Sequence, residues 1–479
     1  MSSSTKEVKI SMKVLISKQK QKVIFAEVDA DFVDILISFL TLPLGTIVRL
    51  LLDKYGDGAP VIGSLNTLYK GLADLDIENF WTTTGKLMLL NPTNPFKEHL
   101  EKLKINIDDT EPTKYFICEN WNCTLGKNQV SVSMYHETMK CACGKSMNRA
   151  IMLSSSDSVK VGSGSGVFTP ETASFIISDD LQVFPNLVGS GLQILNNLGF
   201  NGMVGVEEIT VIVGLEEVMD MLKLSWISKT PLTDIVLHKT KVGPAATVSS
   251  GPDMAMGKSC TTSKKMILKA IIQKSTGKVL LAHTREDFID FVFSLLTIPL
   301  GSALSLLGGD ISVGSMHNLY RSVASLNGDW YMKTQNSFIK PQLPHKYLSK
   351  YQLFIFTETP LYFYYKIIDG KHTGYLTSTW QSSCRPQYVT LMDPKGQGSY
   401  VKGPAMFTVT DHLVVSPTSA ISGLSILNSL KIPFSDIEEY VVDIGMEEAL
   451  SILKASLSST SVLTNGLKPF LKRQPKQEK

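Results

Sequence analysis

The stretch "DFVDILISFLTLPLGTIVRLL" (31–51) recurs as "DFIDFVFSLLTIPLGSALSLL" (287–307), with eleven of the 21 positions identical and no gap. Each copy is an apolar run broken by a proline, Pro43 or Pro299, which removes a backbone donor and ends a helix. Gly45 and Gly301 follow and let the chain redirect. The pattern predicts a buried helix–turn–helix in each copy. A run of this length could also span a bilayer. Asp34, Pro43 and Arg49 interrupt the first copy, and Asp290 and Pro299 the second, so no membrane span is expected.

Working outward, the similarity continues in the same order. "KVLISKQKQKVIFAEV" (13–28) matches "LKAIIQKSTGKVLLAHT" (268–284) in pattern, two strand-like runs around a polar turn. Asp31 and Asp287 then sit where a first helical turn favours negative charge. "GSLNTLY" (63–69) pairs with "GSMHNLY" (314–320), and "GLEEVMDMLKLS" (214–225) with "GMEEALSILKAS" (445–456). Even "LTD" (232–234) finds "LTN" (463–465). A period this long indicates tandem domains, since solenoid repeats run roughly 20–50 residues. "GSGLQILNNL" and "ISGLSILNSL" read as helices, and "ITVIVG" and "YVVDIG" as buried strands leading into helices. Strands and helices mix without strict alternation, which predicts an α+β fold of two tandem homologous domains.

The expected boundaries are a disordered N-terminus over 1–12, a first repeat domain over 13–241, a linker over 242–265, a second repeat domain over 266–467 and a basic disordered tail over 468–479. The linker is rich in Gly, Pro, Ser and Thr, has no apolar period, and holds Cys260 as a free thiol.

Composition bounds the function. The 479 residues are 43% hydrophobic and 19% charged, which suits packed domains. A net charge of +3 implies no polyanion partner by itself. The N-terminus lacks the apolar core of an export signal, so a reducing compartment is expected, cytoplasmic or nuclear. Of six cysteines, four lie close together in the pattern C-x4-C-x17-C-x-C, from Cys118, Cys123, Cys141 and Cys143. Zinc takes four thiolates in a tetrahedron, and two short cysteine pairs joined by a β-ribbon supply them. The intervening "VSVSMYH" alternates like a strand, and Gly144 suits the tight turn of a knuckle. The prediction is a structural zinc site on a zinc-ribbon-like insertion over 115–150. His136 is an alternative ligand; four reduced cysteines without metal, and a redox dithiol, are the other readings. The corresponding stretch of the second half retains only Cys384.

Other signals carry less. "GSGSG" (162–166) lacks a following phosphate-loop lysine and reads as a turn. The eight histidines form no catalytic signature, and the neighbouring carboxylates of "GLEEVMDMLK" do not share a helix face. Their expected role is capping, and Met219 and Met221 read as core. No catalytic residue is assigned. The leading expectation is a non-enzymatic interaction or scaffold protein with protein partners. A nucleic-acid-associated protein, using the ribbon and the tail cations Lys468, Lys472, Arg473, Lys476 and Lys479, is the first alternative; its binding should weaken with salt. An enzyme with a site between the halves is the second.

"KVIFAEVDADFVDILISFLTLPLGTIVRLL", "GSLNTLY", "CGKSMNR" and "SKTPLTDIVL" together resemble a plant family catalogued as domain of unknown function 674. The resemblance covers nearly the whole chain. It implies a land-plant protein, commonly duplicated, with no established activity, substrate or cofactor. It also implies a cysteine knuckle ending in Cys-Gly, here contracted to Cys141 and Cys143.

Overall fold

A computed structural model describes residues 8–124, 129–136, 139–154, 166–237, 265–309, 311, 313–326, 330, 342–356, 362–366, 374–377 and 387–471. The expected linker apart from Lys265, most of "GSGSG", and Cys260 and Cys384 lie outside them.

The chain opens with β1 (Ile10–Ser17) and β2 (Lys22–Asp29), whose inward residues alternate with solvent-facing ones on β1. Strand β1 thus begins ahead of the expected start at residue 13. Asp29 caps α1 (Ala30–Thr41) by accepting from the Phe32 N–H at 3.1 Å. Almost every α1 side chain is buried, as expected of a helix apolar on all faces. Its hydroxyls are satisfied internally: Ser38 donates to the Ile35 carbonyl and Thr41 to that of Ser38. Pro43 separates α1 from α2 (Leu44–Tyr55). Three helices follow, α3 (Leu65–Asp74), α4 (Thr83–Leu90) and α5 (Lys97–Leu100). Then come β3 (Tyr115–Cys118), β4 (Gln129–Val132), β5 (Met147–Leu153), β6 (Ser174–Ser178) and β7 (Val183–Pro185). The half ends with α6 (Val188–Asn197), β8 (Val206–Val213), α7 (Leu215–Ile227) and α8 (Pro231–Val236).

The second half runs through β9 (Met266–Gln273), β10 (Lys278–Arg285), α9 (Glu286–Ser294), α10 (Leu300–Leu306) and α11 (Met316–Ser325). It continues with β11 (Phe363–Lys366), β12 (Gly374–Thr377), β13 (Gln387–Leu391), β14 (Met406–Thr410) and β15 (Val415–Pro417). It closes with α12 (Ala420–Ser429), β16 (Ile437–Ile444), α13 (Met446–Ser458) and α14 (Val462–Leu471). Helix α14 extends past the expected boundary at 467.

The fold is mixed α+β with several sheets. Two of them have the same layout: β7-β6-β2-β1-β8 and β15-β14-β10-β9-β16, antiparallel throughout. Strands β8 and β16, read from sequence as buried, are edge strands with much of their length exposed. One continuous apolar core takes residues from both halves, from Ile10 to Leu467. No helix of the described residues is long and apolar enough to cross a membrane.

The halves meet through reciprocal backbone contacts. The two proline turns zip together, the Leu44 N–H donating to the Ile298 carbonyl and the Leu300 N–H to that of Leu42, each at 2.9 Å. The turn before α3 docks on the end of α13, with Ser64 N–H to the Ser456 carbonyl at 3.0 Å. The turn before α11 docks on the end of α7 in the same way, with Ser315 N–H to the Ser225 carbonyl at 2.7 Å.

The third sheet belongs to neither half alone. Its order is β3-β5-β12-β11-β13-β4, and its two cross-half pairings, β5 with β12 and β4 with β13, are both parallel. Phe116 in β3 and Ser133 after β4 exchange backbone hydrogen bonds at 2.7 and 2.8 Å. That bridge joins the sheet's two ends into a small six-stranded barrel, which removes its free edges. Ile117, Val130, Val132, Ile151, Tyr364 and Leu376 fill it.

Candidate metal centre

The four cysteines predicted as ligands converge at one end of the barrel. Their sulfurs all lie within 4.8 Å of one another, and Cys118 Sγ is 3.5 Å from Cys143 Sγ. With zinc–sulfur bonds of about 2.3 Å, a tetrahedron has sulfurs about 3.8 Å apart. A small contraction of the set therefore reaches ligating geometry. All four cysteines are free thiols.

Local structure explains the convergence. Strand β3 ends at Cys118, and the chain turns at once into a 3-10 turn over Trp121–Thr124 that carries Cys123. The Asn120 N–H points back to Cys118 Sγ at 3.3 Å. The second pair rides on a turn closed by Lys140 and Ser146, with the Gly144 N–H donating to the Cys141 carbonyl at 2.8 Å. Gly144 has φ +83°, which a side chain disfavours, so the glycine noted in the sequence is required there. The Lys145 N–H bonds Cys143 Sγ as the Asn120 N–H bonds Cys118 Sγ, two residues on in each case.

The electrostatics favour charge on Cys143 and oppose it on Cys118 and Cys123. Burial pushes the Cys118 thiol up to about 12, while the Lys145 N–H and the neighbouring thiols bring Cys143 down to about 7. Arg149 on β5 stacks its guanidinium 4.2 Å over the Trp121 ring and feels Cys118 and Cys123. Among the described residues its Nε and Nη2 are buried without a hydrogen-bond partner. A fixed cation with unspent donors is what an anionic thiolate cluster needs beside it. Sequence reasoning missed Arg149 and Trp121, because a lone arginine on a strand carries no motif.

His136, the alternative ligand, packs its ring against Phe116 at 5.2 Å, and the four-sulfur set forms without it. The carboxylates of "GLEEVMDMLK" and "GMEEALSILK" do act as caps: Glu217 accepts from the Gly214 N–H at 2.8 Å and Glu448 from that of Gly445 at 2.9 Å.

Four soft donors in one set match the donor chemistry of structural metal sites, in which four protein ligands fill the tetrahedron. Fold and site together define an α+β protein with two matching antiparallel sheets and a barrel that carries a four-cysteine cluster able to hold a metal ion. The chain belongs to the family described as protein of unknown function (DUF674), whose model matches residues 6–447. No curated protein and no solved structure matches it.

Proposed function

We propose that this chain is a non-enzymatic interaction or scaffold protein, a duplicated plant protein of reducing compartments, stapled by one structural zinc ion on Cys118, Cys123, Cys141 and Cys143. The carrying observation is the closed four-sulfur set with the partnerless donors of Arg149 beside it. The duplication is supported by the matching strand orders and reciprocal turns of two domains over 13–241 and 266–467. The interaction role is supported by apolar side chains left facing solvent on two corresponding helices, Val188 and Leu192 on α6 and Ile421 and Leu424 on α12.

Elemental analysis of protein purified without added metal tests the zinc. About one zinc per chain is expected, falling close to zero in a Cys118→Ser, Cys143→Ser double variant. Zinc well below stoichiometry in the wild type, or retained in the variant, overturns the assignment. Chelation should change Trp121 fluorescence, because that ring lies between the first two ligands and stacks on Arg149. The interaction role predicts a protein partner that co-purifies stoichiometrically and is lost on Leu192→Glu with Leu424→Glu. A wild type that purifies alone from its native source counts against it.

A further inference from the structure

A second site lies at the start of β3, the opposite end of that strand from Cys118. Lys346 sits in a single 3-10 turn, His345–Tyr347, and is only 4% exposed. Its Nζ donates to Thr113 Oγ at 3.0 Å, and it lies 5.2 and 5.9 Å from the ring centres of Tyr347 and Tyr135. An ammonium has three donors. Among the described residues Thr113 is the one acceptor it reaches, and no carboxylate pairs with it. The other buried lysine here, Lys395, is already matched: its Nζ meets Asp393 at 2.7 Å and the Lys346 carbonyl at 2.7 Å. A buried cation left with two free N–H groups is costly unless something occupies the space before it.

There is such a space. A cavity of about 90 Å³ is bounded by Thr113, His345 and Lys346, with Tyr115, Tyr362 and Met134 among its walls. Burial, with Lys395 nearby, holds His345 below the ordinary imidazole value, so it is neutral near pH 7 and able to donate one hydrogen bond. Thr113 accepts from Lys346 and keeps its own proton to donate. The polar groups therefore present donors and one positive charge, and the remaining walls are largely aromatic and apolar. Lys114, the next cation along the chain, is tied to Glu111 at 2.8 Å. One charge suits a monoanion better than a phosphate dianion. Since a water takes about 30 Å³, the volume suits an acid of roughly two to four carbons.

We propose that this cavity binds a small aliphatic monocarboxylate, its oxygens on Lys346 Nζ and Thr113 Oγ and its alkyl end against Tyr115, Tyr362 and Met134. The site is separate from the zinc centre and does not depend on it.

The pH dependence has a definite sign. Burial lowers the Lys346 ammonium to about 8. The other groups around it are His345 and Tyr347 on its own turn, Tyr115 and the paired Lys114 from β3 and its approach, Tyr135 after β4, Tyr362 before β11, and Asp393, Lys395 and Tyr400 from the loop beyond β13. Burial raises Tyr115, Tyr135, Tyr347 and Tyr400, which stay neutral across the range. Carboxylate binding should thus weaken as pH rises through about 8.

Calorimetric titration of the full chain with sodium propionate tests this, with propionamide and sodium chloride at matched ionic strength as controls. Propionate is expected to bind near pH 7 and to lose roughly thirty-fold in affinity by about pH 9.5. Propionamide and chloride should give no binding. Lys346→Met should abolish binding with an equal or higher melting temperature, since it removes a desolvated charge. Thr113→Val, which leaves the ammonium in place, should weaken propionate several-fold. No propionate binding by the wild type at about 50 mM, equal binding of propionamide, or unchanged binding by folded Lys346→Met overturns the proposal.

Discussion

Gly63→Ala is expected to remove about 4 kcal/mol of stability, and Gly314→Ala about as much. Both glycines occupy left-handed backbone, φ +49° and +52°. A methyl at Gly63 would lie 2.2 Å from the Ser456 carbonyl oxygen, and one at Gly314 2.3 Å from that of Ser225. Those oxygens are backbone atoms at the ends of α13 and α7, so no rotamer change makes room. They also accept the Ser64 and Ser315 N–H bonds, and the two serine hydroxyls bond further along the same helix ends. Relieving the overlap means breaking the docking of one half on the other. Gly308→Ala separates the two contributions: Gly308 ends α10 with φ +68° in a left-handed C-terminal turn, the Gly309 N–H donating to the Leu304 carbonyl at 3.0 Å, but nothing lies within 4 Å of its added methyl. It should cost about 1 kcal/mol. Denaturant unfolding decides the matter. If Gly63→Ala costs no more than Gly308→Ala, the turn is not a tight joint between the halves.

That joint marks the limit of what the sequence discloses. The hairpins β1–β2 and β9–β10, the breaks at Pro43 and Pro299, helices α7 and α13 and their glutamate caps were all legible, because each is written within about a dozen residues. The cysteine cluster was legible for the same reason, its ligands riding on two short turns. Met219 and Met221 are core, as their spacing suggested. The barrel was not legible. Its parallel pairings join β5 to β12 and β4 to β13, strands more than 200 residues apart with no local signal for either pairing. A first-half ribbon could be read from the cysteines, but not that β11, β12 and β13 would close it. Lys346 escaped for a related reason: its surroundings come from Thr113, Tyr135 and the loop around Lys395, and nothing near position 346 announces burial.

Asp34 and Asp290 show how a local reading can see a residue and miss its task. From sequence they were charges interrupting apolar runs. In the fold they are almost fully buried acceptors at matching positions of α1 and α9, each holding a distant loop onto the core. Asp34 accepts from the Val167 N–H at 2.6 Å and from both the N–H and hydroxyl of Thr169 at 2.9 Å. Asp290 accepts from the Tyr400 N–H at 2.5 Å, the Val401 N–H at 3.0 Å and the Ser349 hydroxyl. Asp290→Ala should cost about 4 kcal/mol, because it strands two backbone donors and a hydroxyl in the interior, where each unmet donor costs roughly 1–3 kcal/mol. Asp290→Asn keeps one acceptor oxygen and should cost about half as much. The pH dependence follows from the balance of burial against these bonds. Burial is the larger influence and lifts both carboxyls to about 6. A folded-state value raised above the unfolded one means the folded protein binds the proton more tightly. The associated stability is fully present below about pH 4 and is lost as pH rises through 6. Each aspartate should therefore make the wild type more stable at about pH 5 than at about pH 7.5, by about 1 kcal/mol. The comparison to make is the wild type against Asp34→Asn with Asp290→Asn, unfolded in denaturant at both pH values. Because both proteins carry the same cysteine cluster, any acid loss of metal cancels in the difference. A gap that stays constant between the two pH values would mean that hydrogen bonding, not burial, dominates these two carboxyls.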